Sequence, residues 1–465
     1  MFVRLSRGSI KKRTITTRLF QRSTPRLSAP AWSRLVSSGR ISNDFTPGPR
    51  KFSSLANDVP LKNFEANVLS RIDDTELVLH DKYLTVERTD TKELQSYPYT
   101  WLYDACRCSK CVHAENHQKL KTPGQVDPSI HPRSVTNEES IFNYFGKEAN
   151  RKEQGIRIKW DVNERGSHES FFSYKWLFEN PAVLLNQKKG KIHGVGNQTL
   201  WGKKEYGELE FIEYSAFIDS NGGLEKVLKR LNEYGLVFLK NVPTTREEVL
   251  KLGRRIGTIM DTFYGPSWDV VSTTNSKNIA YTDLYLGYHM DLCYYEAPPG
   301  IQILHCLENN VLGGASFFAD SFKTANILQA ENKEMFDVLA TQPVNFHYIS
   351  ESQHMYDTKS TIVVNGSGEV IGVNYSPPFM TNTQFDSVNS SISFYQAFAR
   401  FEEILAREEL KVSHLMKAGE AMLFNNRRVL HARNSFDSSS GTRHFMGTYI
   451  SLDEFYSRLR NVLPM

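Results

Sequence analysis

Between residues 280 and 450 the chain is cut into short apolar runs separated by glycine, proline and polar turns, and this pattern limits what it can fold into. Ile301 to Leu307, Phe317-Phe318-Ala319, Ala421-Met422-Leu423-Phe424 and Val429-Leu430-His431-Ala432 read as buried strands. Pro298-Pro299-Gly300, Gly313-Gly314 and the polar Asn425-Asn426-Arg427-Arg428 supply the turns between them. Arg443 through Tyr449 reads as the next strand. The expected core is therefore a set of short, buried strands.

Chemistry-bearing residues sit on those strands. Gly287-Tyr288 leads into His289-Met290-Asp291. In an extended strand residues i and i+2 share a face, so His289 and Asp291 are expected to chelate one ion. A distant second histidine such as His431 completes the 2-His-1-carboxylate set that holds non-haem iron, Fe(2+), and leaves coordination positions open. Open positions are what O2 activation requires. Arg443 is placed to fork onto a carboxylate beside the metal, a bidentate task that suits arginine better than lysine. Taken singly, each residue has a plainer reading: a core histidine, a turn aspartate, a strand histidine, a solvated charge.

Several segments together narrow the choice. Tyr264-Gly265-Pro266-Ser267-Trp268, Asn278-Ile279-Ala280-Tyr281-Thr282, the His-Met-Asp triplet, Gly313-Gly314 and His431 through Arg443 resemble the gamma-butyrobetaine/trimethyllysine dioxygenase family. These are TauD-like Fe(II)/2-oxoglutarate oxygenases, some of which make carnitine, and the likeness is to the fungal mitochondrial branch. The resemblance runs from about residue 70 to about residue 460. It implies a mainly β protein with flanking helices. A double-stranded β-helix (jelly-roll) catalytic domain is expected over 190–465, with a small β-rich zinc-binding domain over 60–178.

The resemblance also implies roles. His289, Asp291 and His431 are the expected catalytic iron ligands, and Arg443, assisted by Ser316, the expected holder of the co-substrate 2-oxoglutarate. L-ascorbate is an expected auxiliary. Tyr264, Trp268, Tyr281 and Tyr449 match positions of an aromatic cage that grips a trimethylammonium group by cation–π contact. Leu292 departs from the pattern, since the butyrobetaine enzyme has a tyrosine there. Asn278 and Asn374 match butyrobetaine-type substrate contacts, which favours a betaine over an amino acid. The expected partner is a small molecule, and because relatives are often dimers a homodimer is an expected assembly. The competing readings are a mitochondrial member of the family with an unrelated small-molecule substrate, and a non-catalytic protein that keeps the fold and acts through partners.

A second metal constellation lies upstream in Cys106-Arg107-Cys108-Ser109-Lys110-Cys111. Three cysteines within six residues form a soft claw for Zn(2+), which takes four tetrahedral ligands. Cys293 and Cys306 are the only others, both in the catalytic region, so a disulfide framework is not expected. His113 and His117 are local candidates for the fourth ligand. The family places its histidine further on, which here is His168. Such a closed site is structural.

Charge separates the N-terminus from the rest. Residues 1–51 hold 12 Lys+Arg and one acid, Asp44, a balance of +11; the remainder then holds 44 Lys+Arg against 51 Asp+Glu, or −7. A mildly acidic body removes electrostatic support for a nucleic-acid partner. The Arg- and Ser-rich, acid-poor start is the signature of a mitochondrial transit peptide, expected over 1–52 with cleavage between Ser38 and Leu55, and the matrix as destination. No stretch approaches eighteen continuous apolar residues, so no transmembrane helix is expected.

Helical spacing is sparse. Leu224, Val227, Leu228 and Leu231 mark one face of a helix over Gly223–Tyr234, ended by Gly235, with Leu236 to Leu239 as a following strand. A second helix is expected over Arg246–Gly257. A third runs from Ser391 toward Glu408, with Ile392, Phe398, Ile404 and Leu405 inward. Asn365-Gly366 between Ile362–Val364 and Val370-Ile371 signals a hairpin.

Overall fold

The computed structural model describes residues 67–72 (as backbone), 74–141, 152–162, 168–182, 198–271 and 282–462. The expected transit peptide, Asn278 and Tyr281 lie outside the described residues. The chain divides into two compact units, Met1–Val183 and Leu184–Met465. Among the described residues no helix is long and apolar enough to cross a membrane.

The first unit contains two antiparallel sheets. One is a four-stranded meander of Asn67–Ile72, Thr75–Leu79, Tyr83–Arg88 and Leu94–Pro98. The other joins Pro132–Ile141, Lys152–Trp160 and His168–Ser173. Alternation places Ile156, Ile158 and Trp160 inward and leaves Arg157 and Lys159 at the surface side, the period-2 pattern of a half-buried strand. These three pack with Leu84, Val86, Tyr97 and Phe172 in one core.

The second unit is built on two larger sheets. The six-stranded sheet runs Trp268–Val271, Arg443–Ile450, Ile301–Asn309, Ala421–Asn425, Leu236–Lys240 and Phe211–Glu213 in spatial order, with only the last pair parallel. The four-stranded sheet runs Leu286–His289, Val429–Arg433, Ser316–Asp320 and Val412–His414, all antiparallel. Phe238, Cys306, Met422, Phe424 and Phe445 of the first sheet share a core with Phe318, Val412 and Val429 of the second, so the sheets enclose a common interior.

Helices cover the outer face of the six-stranded sheet. Asn221–Tyr234 begins where the Ser220 hydroxyl accepts from the Gly223 N–H at 2.9 Å and ends where Gly235 adopts φ 73°. Its buried face is Leu224, Val227, Leu228 and Leu231, as the spacing predicts, packed on Ile301, Ile303, Leu423 and Ile450. Glu248–Ile256 and Leu452–Val462 complete this layer. Ser321–Glu331, Lys333–Thr341 and Val388–Leu405 form a separate helical layer around Leu328, Phe336, Leu339 and Phe401.

A fully buried ion pair braces the interior. Asp320 accepts from Arg428 Nη2 at 2.8 Å and from Nε at 3.1 Å, while the Trp201 N–H reaches its Oδ2 at 3.0 Å. Bidentate geometry and a third donor satisfy a carboxylate that burial would otherwise penalise heavily.

Several expectations need correction. The strand entering the His-Met-Asp triplet ends at His289, and Asp291 lies in the turn that follows, where Leu292 adopts φ 53°. His289 and Asp291 therefore converge through a turn, not through strand alternation. The helix expected from Arg246 begins at Glu248, and the one expected from Ser391 spans Val388–Leu405. Ile392 points outward at 51 % exposure; Phe394, Ala397 and Phe401 take the buried face. The Asn365-Gly366 hairpin forms between Ile362–Val364 and Val370–Val373. The two helices over 321–341, the Pro343–Ile349/His354–Ser360 hairpin and the C-terminal helix were not indicated by periodicity.

Candidate active site

Strand pairing assembles the site. His289 and His431 are direct cross-strand partners in the four-stranded sheet, with Phe318 on the other side of His431. Asp291 Oδ1 lies 3.4 Å from His289 Nε2 and 3.8 Å from His431 Nε2. One ligand atom from each residue fits within 4.8 Å of the others.

The donor set fits a cation. His289 Nδ1 lies 2.9 Å from the Gly287 carbonyl, which puts the ring proton there and turns the Nε2 lone pair toward the carboxylate. Burial pushes the His431 pKa down to about 3, so this imidazole is neutral. Burial works to raise the Asp291 pKa, but its close neighbours, His289 first and the Tyr449 hydroxyl with it, hold it below the usual carboxylate range. Two imidazoles and an ionised carboxylate oxygen converging within 4.8 Å suit a positive ion between them.

The second carboxylate oxygen is already occupied. Asp291 Oδ2 accepts from Gln302 Nε2 at 2.6 Å and from the Tyr449 hydroxyl at 2.7 Å. Gln302 and Tyr449 are register partners on neighbouring strands of the six-stranded sheet, so both project toward Asp291 from one face. This leaves Oδ1 as the free oxygen.

Alternation along Arg443–Ile450 sets the rest of the wall. Arg443, Phe445 and Tyr449 line the cavity that holds His289, Asp291 and His431. Gly447 falls between Phe445 and Tyr449 on that face. A Cβ there would come within 2.3 Å of the Trp268 ring, so glycine is needed for Trp268 to stack on Tyr449, centroid to centroid 4.2 Å. Tyr264 lies 6.0 Å from Trp268, and Tyr264, Leu292, Tyr294 and Phe379 also border the cavity.

Arg443 is buried with its guanidinium 4.2 Å above the Phe445 ring, and its Nε has no hydrogen-bond partner among the described residues. Burial, and then the charge of Arg433, push its pKa down to about 9. No ion pair to it is present among the described residues. A buried cation in this condition calls for an anion. Ser316 lies in the same cavity, buried, opposite Arg433 in register.

The structure thus gathers His289, Asp291, His431, Arg443, Ser316, Tyr264, Trp268, Leu292 and Tyr449 around one cavity. Asn374 is not among its lining residues; it is buried and donates from Nδ2 to the Ser360 carbonyl at 2.9 Å. Sequence reasoning missed Gln302, Tyr294 and Arg433. Gln302 carried a signal, being the one polar residue at the start of an apolar strand. Arg433 donates to the carbonyls of Thr282 and Leu284, each at 2.8 Å, just before the His289 strand.

In the first unit, Cys106, Cys108, Cys111 and His168 form a second cluster whose ligand atoms all lie within 4.8 Å. His168 Nε2 is 3.3, 3.7 and 3.4 Å from the sulfurs of Cys106, Cys108 and Cys111. A tetrahedron with Zn–S near 2.3 Å and Zn–N near 2.0 Å has S···N edges of roughly 3.5 Å. Hydrogen bonds from Cys106 and Cys111 pull the Cys108 thiol well below its ordinary range, and those with Cys106 and Cys108 push His168 up to about 9. His113 and His117 are exposed and outside the cluster.

Paired sheets enclosing two histidines and a carboxylate, with a buried arginine beside them, define a non-haem iron oxygenase. Residues 204–449 match the TauD/TfdA family of taurine catabolism dioxygenases, and residues 76–178 match the N-terminal region of gamma-butyrobetaine hydroxylase-like proteins. The chain is 34 % identical over 382 residues to dioxygenase str8 of Strobilurus tenacellus, covering 79 % of this chain and 85 % of that protein. Trimethyllysine dioxygenase of Rattus norvegicus is 26 % identical over 396 residues, covering 82 % and 86 %. Gamma-butyrobetaine dioxygenase of Pseudomonas sp. (strain AK-1) is 29 % identical over 362 residues, covering 77 % and 88 %. The chain belongs to the TauD/TfdA dioxygenase family and is a 2-oxoglutarate-dependent dioxygenase.

Proposed function

We propose that this dioxygenase hydroxylates a C–H bond of a small quaternary-ammonium acid of the gamma-butyrobetaine type, with succinate and CO2 as co-products. The observation that carries the reading is the aromatic wall of Tyr264, Trp268 and Tyr449 beside Asp291. An ammonium head over such faces gains on the order of 0.5–2 kcal/mol per good contact. The trimethyllysine and gamma-butyrobetaine dioxygenases among the relatives support the same substrate class.

His289, Asp291 and His431 would hold the iron, with Asp291 supplying the single anionic ligand. Arg443 would pair with the far carboxylate of 2-oxoglutarate, with Ser316 donating beside it. Ferrous iron with bound 2-oxoglutarate supplies O2 activation and the oxidising power for C–H hydroxylation. The residues around it would orient both acids, and burial keeps the His431 imidazole neutral. Ascorbate fits as an external reductant that returns oxidised iron to the ferrous state. Leu292, which borders the cavity where butyrobetaine enzymes carry a tyrosine, gives the pocket one aliphatic wall. That difference favours a substrate whose cationic head is gripped on fewer faces, and it keeps an unrelated small metabolite as the second reading.

Cys106, Cys108, Cys111 and His168 would hold one structural Zn(2+), since four protein ligands leave no open position for chemistry. The basic, acid-poor residues 1–51 and the mitochondrial trimethyllysine dioxygenases among the relatives support import into mitochondria.

A decarboxylation screen tests the function. The iron-loaded protein is expected to convert 2-oxoglutarate to succinate faster with a matching betaine present, and Asp291→Ala to fall to background. Equal succinate release by wild type and Asp291→Ala across the panel would sink the enzymatic reading. A response only to acids lacking an ammonium head would sink the substrate class.

A further inference from the structure

Asn426 belongs to the polar turn before the His431 strand, and its side chain is fully buried. Its amide makes three hydrogen bonds, all to backbone. Oδ1 accepts from the Asp291 N–H at 2.8 Å, and Nδ2 donates to the Asp291 carbonyl at 3.0 Å and to the Pro299 carbonyl at 3.2 Å. The Asn426 N–H in turn donates to the Gly300 carbonyl at 2.8 Å. One side chain thus replaces a neighbouring strand for Asp291, satisfying both its backbone groups at the point where the strand has ended.

The residue before is held from the other side. The Met290 N–H donates to the Tyr375 carbonyl at 2.8 Å, and the Met290 carbonyl accepts from the Ser376 hydroxyl at 3.0 Å. Immediately after Asp291 the chain enters the left-handed region at Leu292, φ 53°, a conformation a bulky side chain adopts only when its surroundings hold it. The Asp291 carboxylate therefore hangs from a short turn that could relax in several directions without its anchors.

We propose that Asn426 is a positioning residue of the iron site: it sets the height of Asp291 against His431 by tying the Asp291 backbone to the turn that delivers His431. This rests on the iron-site reading above and adds to it. Gln302 and Tyr449 aim the carboxylate, whereas Asn426 fixes the backbone it hangs from. Partners one step removed from a metal typically alter its affinity by about 10–100-fold when lost.

The test uses Mn(II), an octahedral stand-in for ferrous iron, on full-length wild type, Asn426→Ala and Asn426→Asp. Binding is read from the EPR signal of free Mn(II), and stability from the Tm of each protein with and without metal. Asn426→Asp keeps the shape and the acceptor but turns an oxygen toward the Asp291 and Pro299 carbonyls. Both variants are expected to bind Mn(II) roughly 10–100-fold more weakly and to lose most of the metal-induced rise in Tm. A purely structural asparagine would lower the metal-free Tm and leave the Mn(II) affinity alone; that outcome overturns the proposal. Wild type that fails to bind Mn(II) overturns the iron-site reading itself, and the proposal with it. Should neither variant fold, hydrogen exchange in wild type decides: a protected Asp291 amide supports the clamp, and exchange at the rate of an open loop removes it.

Discussion

His289 and His431 face each other across neighbouring strands with ring centroids 4.1 Å apart, near enough for one carboxylate to reach both. This pairing makes the site a property of the sheet register. A slip of one residue in either strand would send one imidazole to the opposite face. It also concentrates the consequences of substitution on the few side chains that steer Asp291 between the two rings.

Tyr449 is the clearest of these. Tyr449→Phe removes the hydroxyl from Asp291 Oδ2 and keeps the ring stacked on Trp268. The iron concentration needed for half-maximal succinate formation is expected to rise by about 10–100-fold, while KM for the betaine at saturating iron stays near wild type. A change in KM alone would assign Tyr449 to the substrate wall only.

Arg443→Met should separate co-substrate binding from folding. Charge-assisted hydrogen bonds are worth about 1.5–3 kcal/mol, so KM for 2-oxoglutarate is expected to rise roughly 10–100-fold. Without 2-oxoglutarate the guanidinium is buried and uncompensated, so the Tm of the free protein should not fall. Arg443→Lys should restore little, because an ammonium lacks the planar fork.

Zinc removal should act on stability and not on chemistry. Metal analysis of the purified protein is expected to find one zinc per chain, lost in Cys111→Ser. Structural zinc sites contribute on the order of 10 kcal/mol of folding free energy, so the Met1–Val183 unit should lose cooperative melting on chelation. Full cooperativity after zinc removal would reduce the cluster to ordinary buried thiols.

His305 makes acid stability measurable. It is fully buried, neither ring nitrogen has a partner among the described residues, and burial pushes its pKa from 6.5 down to about 4, with Glu248 pulling the other way. Between those values the unfolded chain binds the proton and the folded chain does not. Stability is therefore complete above about pH 6.5 and is lost as pH falls toward 4, by roughly 2–3 kcal/mol at pH 4.5. Urea unfolding at pH 7.5 and 4.5 should show this loss in wild type and a smaller one in His305→Leu.

Much of this was legible in the residues, for reasons that differ. Gly235 and the Leu224, Val227, Leu228, Leu231 stripe announced a helix and its end because both signals are local. His289, Asp291, His431 and Arg443 were recognisable because their residue types suit a cation and an anion and their order matches the family the sequence resembles; they line one cavity. Ile392 was misplaced because helical spacing identifies a stripe without saying which neighbour covers it. Asn374 was expected at the substrate; it is buried, is not among the residues lining the cavity, and donates to the Ser360 carbonyl.

The residues alone determined the ligand chemistry and the strand-rich class, since coordination preferences and the period of apolar residues are written in the order of side chains. Tertiary structure decided how Asp291 is held: by Gln302 and Tyr449 on its carboxylate and by Asn426 on its backbone. Those contacts arise from which strand lies beside which, and from a turn where alternation stops. Local spacing cannot encode either, because hydrogen-bond registry between distant segments is set only when the sheets close around their common core.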